Sequence, residues 1–531
     1  MYNIGLLDCT LRDGGYVNDW KFGYNTITSV VERMSQAKLE FIEVGFLDER
    51  QPEDLNRTIQ PNTKAFDKLL ADVEHGHSKL LAMIDYGTCS LDNIAQCSET
   101  VLDGIRVIFK KPKMKQAIDF GKELIKRGYL VFLQMVSITS YSDRDILDFA
   151  DLVNGISPYA VSMVDTYGLM HKEDMLNYFF LLDHNLKSGI SIGYHSHNNF
   201  QLAYSNTTEM LKCISCHDLV VDGTAYGMGK SAGNAPLELL AMYMNENYRK
   251  SYEIDQILEV IDTNIMRIYR QHYWGYSLLF YIAASNDCHP NYVNYLLEKR
   301  TMSIKSINDT LKLIPKENKL NYDRELIEEI YTKIQAKVRY GAKPLESLAN
   351  ALREKDILLI APGRSINTNK EEIKAYIIEK KPTIISVNFV SEVYKADYVF
   401  ISNAKRYINV RKALNANHAS VIATSNITPI GREFDYVFNY GDLLGQQDLI
   451  EDNALLMLLK ALLKIDIKRV SLAGFDGFDI DPSKNYCDLS LDLSSSPERL
   501  IKVNNLISLS IKDFKNQIKL EFLTPSVYEK I

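Results

Sequence analysis

Residues Ile190-Ser191-Ile192-Gly193-Tyr194-His195-Ser196-His197 read as a short apolar strand that ends on two histidines. Side chains alternate between faces along a strand, so histidines two positions apart point the same way. Imidazoles placed like that can both reach one divalent ion. Helix-like segments flank this strand at 172–186 and 203–213, and the alternation continues outward. Strands are expected at 4–9, 41–44, 80–84, 104–108, 130–136, 160–164, 191–194 and 219–222, with further helices at 25–37, 114–127 and 143–153. Eight strand–helix repeats within about 245 residues have the rhythm of an α/β, (β/α)8 barrel. Continuously apolar strands fit a parallel sheet buried on both faces.

In such a barrel the chemistry lies at the C-terminal ends of the strands, and polar residues collect there. Asp13 follows strand 1 in Leu6-Leu7-Asp8-Cys9-Thr10-Leu11-Arg12-Asp13-Gly14-Gly15. Glu43 is in strand 2, Asp165-Thr166 ends strand 6, and Asn234 follows strand 8. One carboxylate (Asp13), two neutral imidazoles (His195, His197) and an amide oxygen (Asn234) make a mixed N/O donor set. That set suits Mn²⁺ or Mg²⁺ best, with Co²⁺ or Zn²⁺ as alternatives. A 2-oxo acid could chelate such an ion, which would polarise its ketone toward an enolate. Arg12 adds a counter-charge for the enolate oxygen. A proton carrier is also needed, and Tyr16, Tyr276, Tyr281 and His289 are candidates. Glu43 and Thr166 are read as substrate contacts, although Glu43 could equally orient Arg12. Asp8 is read as structural.

The chain has 531 residues, so more than one domain is expected. Its net charge of −7, without a basic stripe, gives no sign of nucleic-acid binding. Seven irregularly spaced cysteines suit a reducing compartment, and Cys213 and Cys216 are read as helix thiols. No apolar run reaches the ~20 residues of a membrane span, and Met1 leads straight into a strand without a signal peptide. A cytoplasmic enzyme is expected, with a homodimer as the default assembly. The barrel is assigned to 1–250. A helical annex that lids it, with a charged linker inside 337–355, is assigned to 251–350. At 355–531 the rhythm restarts, with strands at 357–360, 383–387, 398–401, 420–424, 436–438 and 470–473. That pattern predicts a doubly wound, Rossmann-like α/β domain. Its first turn, Ala361-Pro362-Gly363-Arg364-Ser365, either cradles a phosphate through Gly363 and Ser365 or is a plain turn. A nucleotide or activated sugar would be its ligand.

Several motifs occur together in the right order. They are Thr-Leu-Arg-Asp-Gly (10–14), Ile-Glu-Val-Gly (42–45), His-Ser-His-Asn-Asn (195–199) with Asn206, and Gly-Met-Gly through Ala-Gly-Asn-Ala-Pro-Leu-Glu (227–238). Residues 3–300 thereby resemble the HMGL-like DRE-TIM metallolyase superfamily, and most closely its 4-hydroxy-2-oxovalerate aldolase branch. The resemblance implies a metal held by Asp13, His195 and His197, with Asn234 as a fourth ligand. It also implies Arg12 as enolate stabiliser, a catalytic annex tyrosine that aligns loosely with Phe280 or Tyr281 and is taken as Tyr281, and an aldehyde and a 2-oxo acid as the two fragments. Two departures stand out. Tyr16 replaces the aldolase branch's catalytic histidine. Gly15-Tyr16 replaces the Glu-Gln of Claisen synthases, which weighs against the alternative of acyl-CoA condensation. A second alternative is a non-catalytic binding protein acting through its C-terminal domain.

Overall fold

Among the described residues sixteen short strands carry the architecture, and all of the named strand pairings are parallel. The computed structural model describes residues 3–298, 302, 304–335, 343–416, 418–447, 449–488, 491 and 497–529. The chain divides into two compact units, Met1–Pro290 and Asn291–Ile531.

In the first unit the strands are β1 (Ile4–Asp8), β2 (Phe41–Leu47), β3 (Ile59–Gln60), β4 (Lys79–Asp85), β5 (Gly104–Phe109), β6 (Leu130–Met135), β7 (Ala160–Asp165), β8 (Ser191–Ser196) and β9 (Leu219–Gly223). β1 pairs with both β9 and β2, which closes an eight-stranded parallel barrel, and the two-residue β3 is appended to β2. Helices such as Tyr24–Gln36, Met114–Lys126 and Asp143–Asn154 follow the strands. Their apolar stripes pack with outward-facing Ile105, Val107, Ile192 and Tyr194 in the main core.

The pleat sets what lies inside. Leu7, Phe41, Leu81, Phe132, Ala160 and Val220 form an inner apolar cluster. Two residues further along their strands the inward positions are polar: Glu43, Gln134, Ser162 and Asp222 are all buried. Arg106 joins them at 0% exposure. The barrel is therefore plugged by hydrocarbon at one level and by charge at the next. β2 carries an irregularity between Glu43 and Gly45. Gly45 has φ +148°, and a Cβ there would strike the Thr58 carbonyl, so the bulge requires glycine.

The helices expected as one annex over 251–350 are divided between the two units. Ile254–Val260, Met266–Tyr269 and Leu278–Ser285 belong to the first, and Pro290–Glu298 straddles the division. Arg33 donates to Gln256 (3.1 Å) and Trp274 to the Tyr226 carbonyl (3.0 Å), tying the annex helices to the barrel. The predicted linker is in part a helix, Leu345–Leu352, because Leu345, Leu348 and Leu352 share one face and the latter two are buried. Residues 337–342 of that segment lie outside the described residues.

The second unit holds a seven-stranded parallel sheet of β10 (Ile357–Ile360), β11 (Thr383–Val387), β12 (Tyr398–Ile401), β13 (Ser420–Thr424), β14 (Tyr436–Phe438), β15 (Arg469–Ala473) and β16 (Lys519–Phe522). The spatial order is β14-β13-β12-β11-β10-β15-β16. Its core includes Leu358, Ile360, Val399, Ile401, Val421 and Ala423. Among the described residues, no helix is long and apolar enough to cross a membrane.

Candidate metal centre

The inward side of β8 is Gly193, His195 and, one residue past the strand, His197. His197 bridges to Asn234 in an antiparallel backbone contact. The two imidazole rings lie 5.1 Å apart. Asp13 sits in a short helical turn, Thr10–Asp13, directly after β1. Its Oδ2 is 3.3 Å from His197 Nε2 and 3.8 Å from His195 Nε2. Asp13, His195 and His197 are all buried and converge on one point as a potential metal-holding group. Burial alone would raise the Asp13 carboxyl. The Arg12 guanidinium and then His197 overcome that and hold it well below the usual carboxylate range.

Both imidazoles are oriented from behind. His195 Nδ1 meets Asp222 Oδ2 at 2.9 Å, and His197 Nδ1 meets the Asp165 carbonyl at 3.0 Å. With Nδ1 as donor, each Nε2 lone pair faces Asp13. Burial pushes His195 down to about 4, against the opposing pull of Asp222, so the ring is neutral at physiological pH. The Nε2 atoms of His195 and His197 are buried, and neither has a hydrogen-bond partner among the described residues. Two orphaned imidazole nitrogens beside an ionised carboxylate are what a divalent cation would satisfy, and this donor set fits one.

Asn234 donates from Nδ2 to Asp13 Oδ2 and to the Met228 carbonyl (3.2 Å), and its buried Oδ1 has no partner among the described residues. In this orientation it steadies the aspartate; a 180° amide flip exchanges the two atoms and turns Oδ1 toward the same point. The loop that carries it is clamped by the motif asparagine Asn199, which accepts from Ala232 N–H (3.0 Å) and donates to the Tyr167 carbonyl (2.8 Å).

Arg12 is 5% exposed. Its Nε donates to Glu43 (2.7 Å) and its Nη1 to Asp13 (3.0 Å). Glu43 also accepts from Arg106 Nη1 (3.0 Å). Arg106 Nη2 donates to Asp222, the same oxygen that holds His195, and to Gln134 (3.2 Å). A continuous chain thus runs Asp13–Arg12–Glu43–Arg106–Asp222–His195. Glu43 is the link between two guanidinium groups. Sequence reasoning missed Arg106, Gln134 and Asp222. A signal existed: charges in the middle of otherwise apolar strands must face the barrel interior, where each needs a partner. A second group, Cys9, His195 and Asp222, also clusters. Burial, then Asp222, holds the Cys9 thiol well above its ordinary range, and Asp222 is taken by Arg106, so this group is the poorer metal site.

The remaining predicted residues divide. Tyr16 stands over the site at 42% exposure, its ring against Trp20 (4.8 Å between centroids) and under the Lys230 ammonium (5.4 Å). Partial desolvation by the surrounding protein, then the Asp13 charge, pushes its phenol up to about 12. Thr166 accepts from Ser137 N–H (2.7 Å) at the mouth. Tyr281 is 44% exposed on helix Leu278–Ser285, and none of its described contacts reaches the metal residues. His289, from the same region, packs 6.3 Å from the Tyr167 ring. Burial, helped by Lys230 and Lys110, pulls His289 down to about 4. Beside Tyr16, a cavity of about 140 Å³ is lined by Trp20, Phe46, Asp48, Arg50, Asp85 and Thr88, among others.

Residues 3–264 match the HMGL-like family. Among curated proteins, 4-hydroxy-2-oxovalerate aldolase of Marinomonas sp. is 24% identical over 271 residues, 49% of this chain and 76% of that protein. Oxaloacetate decarboxylase of Mycobacterium tuberculosis is 22% identical over 262 residues, again 49% of this chain and 76% of that protein. A solved N-terminal domain from Bacteroides vulgatus is 22% identical, covers 57% of this chain and 98% of that one, and superposes with a TM-score of 0.49.

Proposed function

With residues 3–264 matching the HMGL-like family, we propose that the first unit is a divalent-metal-dependent carbon–carbon lyase of the aldolase type, acting on a 2-oxo acid. The observation that carries this is the pair of orphaned, buried Nε2 atoms facing Asp13. Asp13, His195 and His197 would hold the ion, with Asn234 as a further donor once its amide is flipped. A bound divalent ion supplies Lewis acidity to the 2-oxo group and orients the substrate.

The chain's own residues account for the rest. Cleavage of a 4-hydroxy-2-oxo acid removes the hydroxyl proton and breaks the C3–C4 bond. The electron pair passes to the ketone oxygen as an enolate, and an aldehyde is released. Arg12 has N–H groups beyond those given to Glu43 and Asp13, and these stabilise the enolate oxygen in a site excluded from water. Neutral His289 accepts the hydroxyl proton, the role first given to Tyr281. Tyr16, protonated at neutral pH, donates a hydrogen bond to the departing carbonyl. Lys230 and Lys110 form a cationic rim that favours an anionic substrate. Thr166 lies at the mouth, and the cavity beside Tyr16 takes the aldehyde fragment. Decarboxylation of a 2-oxo diacid passes through the same enolate, and the decarboxylase relative supports it as a second reading. The second unit, with its all-parallel sheet, is read as Rossmann-like.

The test is release of pyruvate from 4-hydroxy-2-oxopentanoate and from oxaloacetate, followed with lactate dehydrogenase and NADH. Turnover that is lost on chelation and restored by Mn²⁺ supports the proposal. Metal-loaded protein that releases pyruvate from neither substrate overturns it.

A further inference from the structure

In the second unit, β10 is flanked by β11 on one side and β15 on the other. The chain therefore runs outward in opposite directions from β10, and a crevice opens beyond the C-terminal ends of β10 and β15. Ligands of open parallel sheets bind at such a switch point. A cavity of about 160 Å³ occupies that place, its lining including Gly363, Asn388, Arg406, Ala454, Leu455 and Tyr486.

Arg406 is 7% exposed, and its buried Nη1 has no hydrogen-bond partner among the described residues. Its guanidinium lies 4.9 Å from the centre of the Tyr486 ring, which shields it without supplying an acceptor for Nη1. A buried guanidinium N–H without an acceptor is costly unless something else completes it. The same cavity meets the start of the eleven-residue helix Ala454–Lys464. Asn453 caps the Leu456 N–H at 3.3 Å. The N–H groups of Ala454 and Leu455 ahead of it meet no acceptor among the described residues. A helix start and an unsatisfied buried guanidinium converge on one small cavity, and both call for an anion.

We infer that this crevice binds a phosphate ester, with the phosphate held by Arg406 and the first turn of helix Ala454–Lys464. The phosphate is thereby moved from the turn where the sequence suggested it. Ser365 N–H and Oγ are both occupied by Asp476, and Gly363 N–H donates to the Gly474 carbonyl (3.0 Å). The protein's own carboxylate fills that turn, and the helix it opens, Ser365–Thr368, has only four residues. Gly363 is needed because a Cβ would strike the Gly474 carbonyl and Asp476, a requirement independent of any ligand. Phe475, Phe478 and Tyr528 add an aromatic wall to the cavity, so the ester could be a nucleoside phosphate or a simple sugar phosphate.

The experiment is calorimetric titration of the full chain with UMP, ribose 5-phosphate, inorganic phosphate and uridine. The expected result is saturable binding of at least one ester, with uridine weaker than UMP. UMP tighter than ribose 5-phosphate identifies a nucleoside source, and equal affinity a sugar phosphate. Arg406→Gln should weaken binding about 10- to 100-fold. Lys405→Gln, the same charge change at an exposed neighbour on the same helix, should leave it unchanged. Because Arg406→Gln could unfold the unit, hydrogen exchange on the unmodified chain gives a second reading. The better-binding ester should slow exchange at the start of helix Ala454–Lys464. The inference is overturned if neither ester binds, if inorganic phosphate alone binds, if uridine matches UMP, if folded Arg406→Gln binds normally, or if that helix gains no protection.

Discussion

Replacing Asp222 by asparagine tests whether the chain of buried charges behind the metal centre tunes it. Taken as ionised, Asp13, Glu43 and Asp222 carry three negative charges against the two of Arg12 and Arg106, so with His195 neutral the set is net −1, a charge that a cation would offset. Burial alone would raise the Asp222 carboxyl, but Arg106 and the His195 N–H hold it below its ordinary value. In Asp222→Asn the new amide would keep an oxygen acceptor for both donors and lose the charge. Arg106 would keep Glu43 and Gln134. The folding cost is therefore that of weakened charge-assisted bonds, about 1.5–3 kcal/mol, rather than the 3–5 kcal/mol (roughly) of an abandoned buried charge. His195 becomes a weaker donor, and Mn²⁺ affinity should fall about 10- to 100-fold, or ~1.4–2.7 kcal/mol. Mn²⁺ titration of metal-free protein, followed by the electron paramagnetic resonance of the free ion, measures the second quantity. Urea unfolding without metal measures the first. A variant that loses stability yet binds Mn²⁺ like the parent would refute the reasoning, because Asp222 would then serve only Arg106.

Three other outcomes follow from particular side chains. Gly229→Ala would drive a Cβ into Asn234 Nδ2 and to 2.9 Å from Asp13 Oδ2, so Mn²⁺ affinity should drop about tenfold or more with the circular dichroism unchanged; unchanged affinity counts against the assigned centre. Burial pushes the Asp8 carboxyl up to about 7, above its unfolded value near ~3.9, so the native state holds that proton. Stability from Asp8 is complete at low pH and is lost as pH rises from about 4 to about 7. In Asp8→Asn, Oδ1 still accepts from the Thr10 N–H and hydroxyl, so the variant should gain ~2–4 kcal/mol on the parent between pH 5 and pH 8 in urea unfolding. Parallel pH curves would contradict this. His195 and His289 both stay neutral down to about 4, so the acid limb of kcat/KM should fall near pH 4; a limb at the ordinary imidazole value, ~6.5, would remove His289 as the base.

The barrel was legible because its strands are apolar on both faces, and each predicted strand overlaps an observed one. The strands expected at 41–44 and 191–194 run three and two residues further, to Leu47 and Ser196, while those expected at 4–9 and 130–136 stop one residue sooner. β16 (Lys519–Phe522) escaped because Lys519 and Glu521 alternate with only half-buried neighbours, as befits an edge strand. The residues that the structure gathers as the candidate metal centre stood out in HxH and the Arg-Asp turn, since each carries its own local signal. Arg106 and Asp222 did not stand out, because their meaning lies in a contact across 116 positions. Tyr281 was favoured over His289 by loose alignment to the aldolase branch. The proposal of His289 in its place rests on exposure and packing in the annex, and neither is written in the local pattern. Ser365 was read as free to bind because its partner, Asp476, lies 111 residues away.

The most direct test of the central claim is proton NMR of pyruvate in D₂O with the full chain and Mg²⁺, beside an Arg12→Ala control. The account predicts metal-dependent loss of the methyl signal with the parent protein, abolished by chelation and absent in the control. A methyl signal that persists with metal demonstrably bound, or that is lost equally with Arg12→Ala, would contradict enolate formation at this centre.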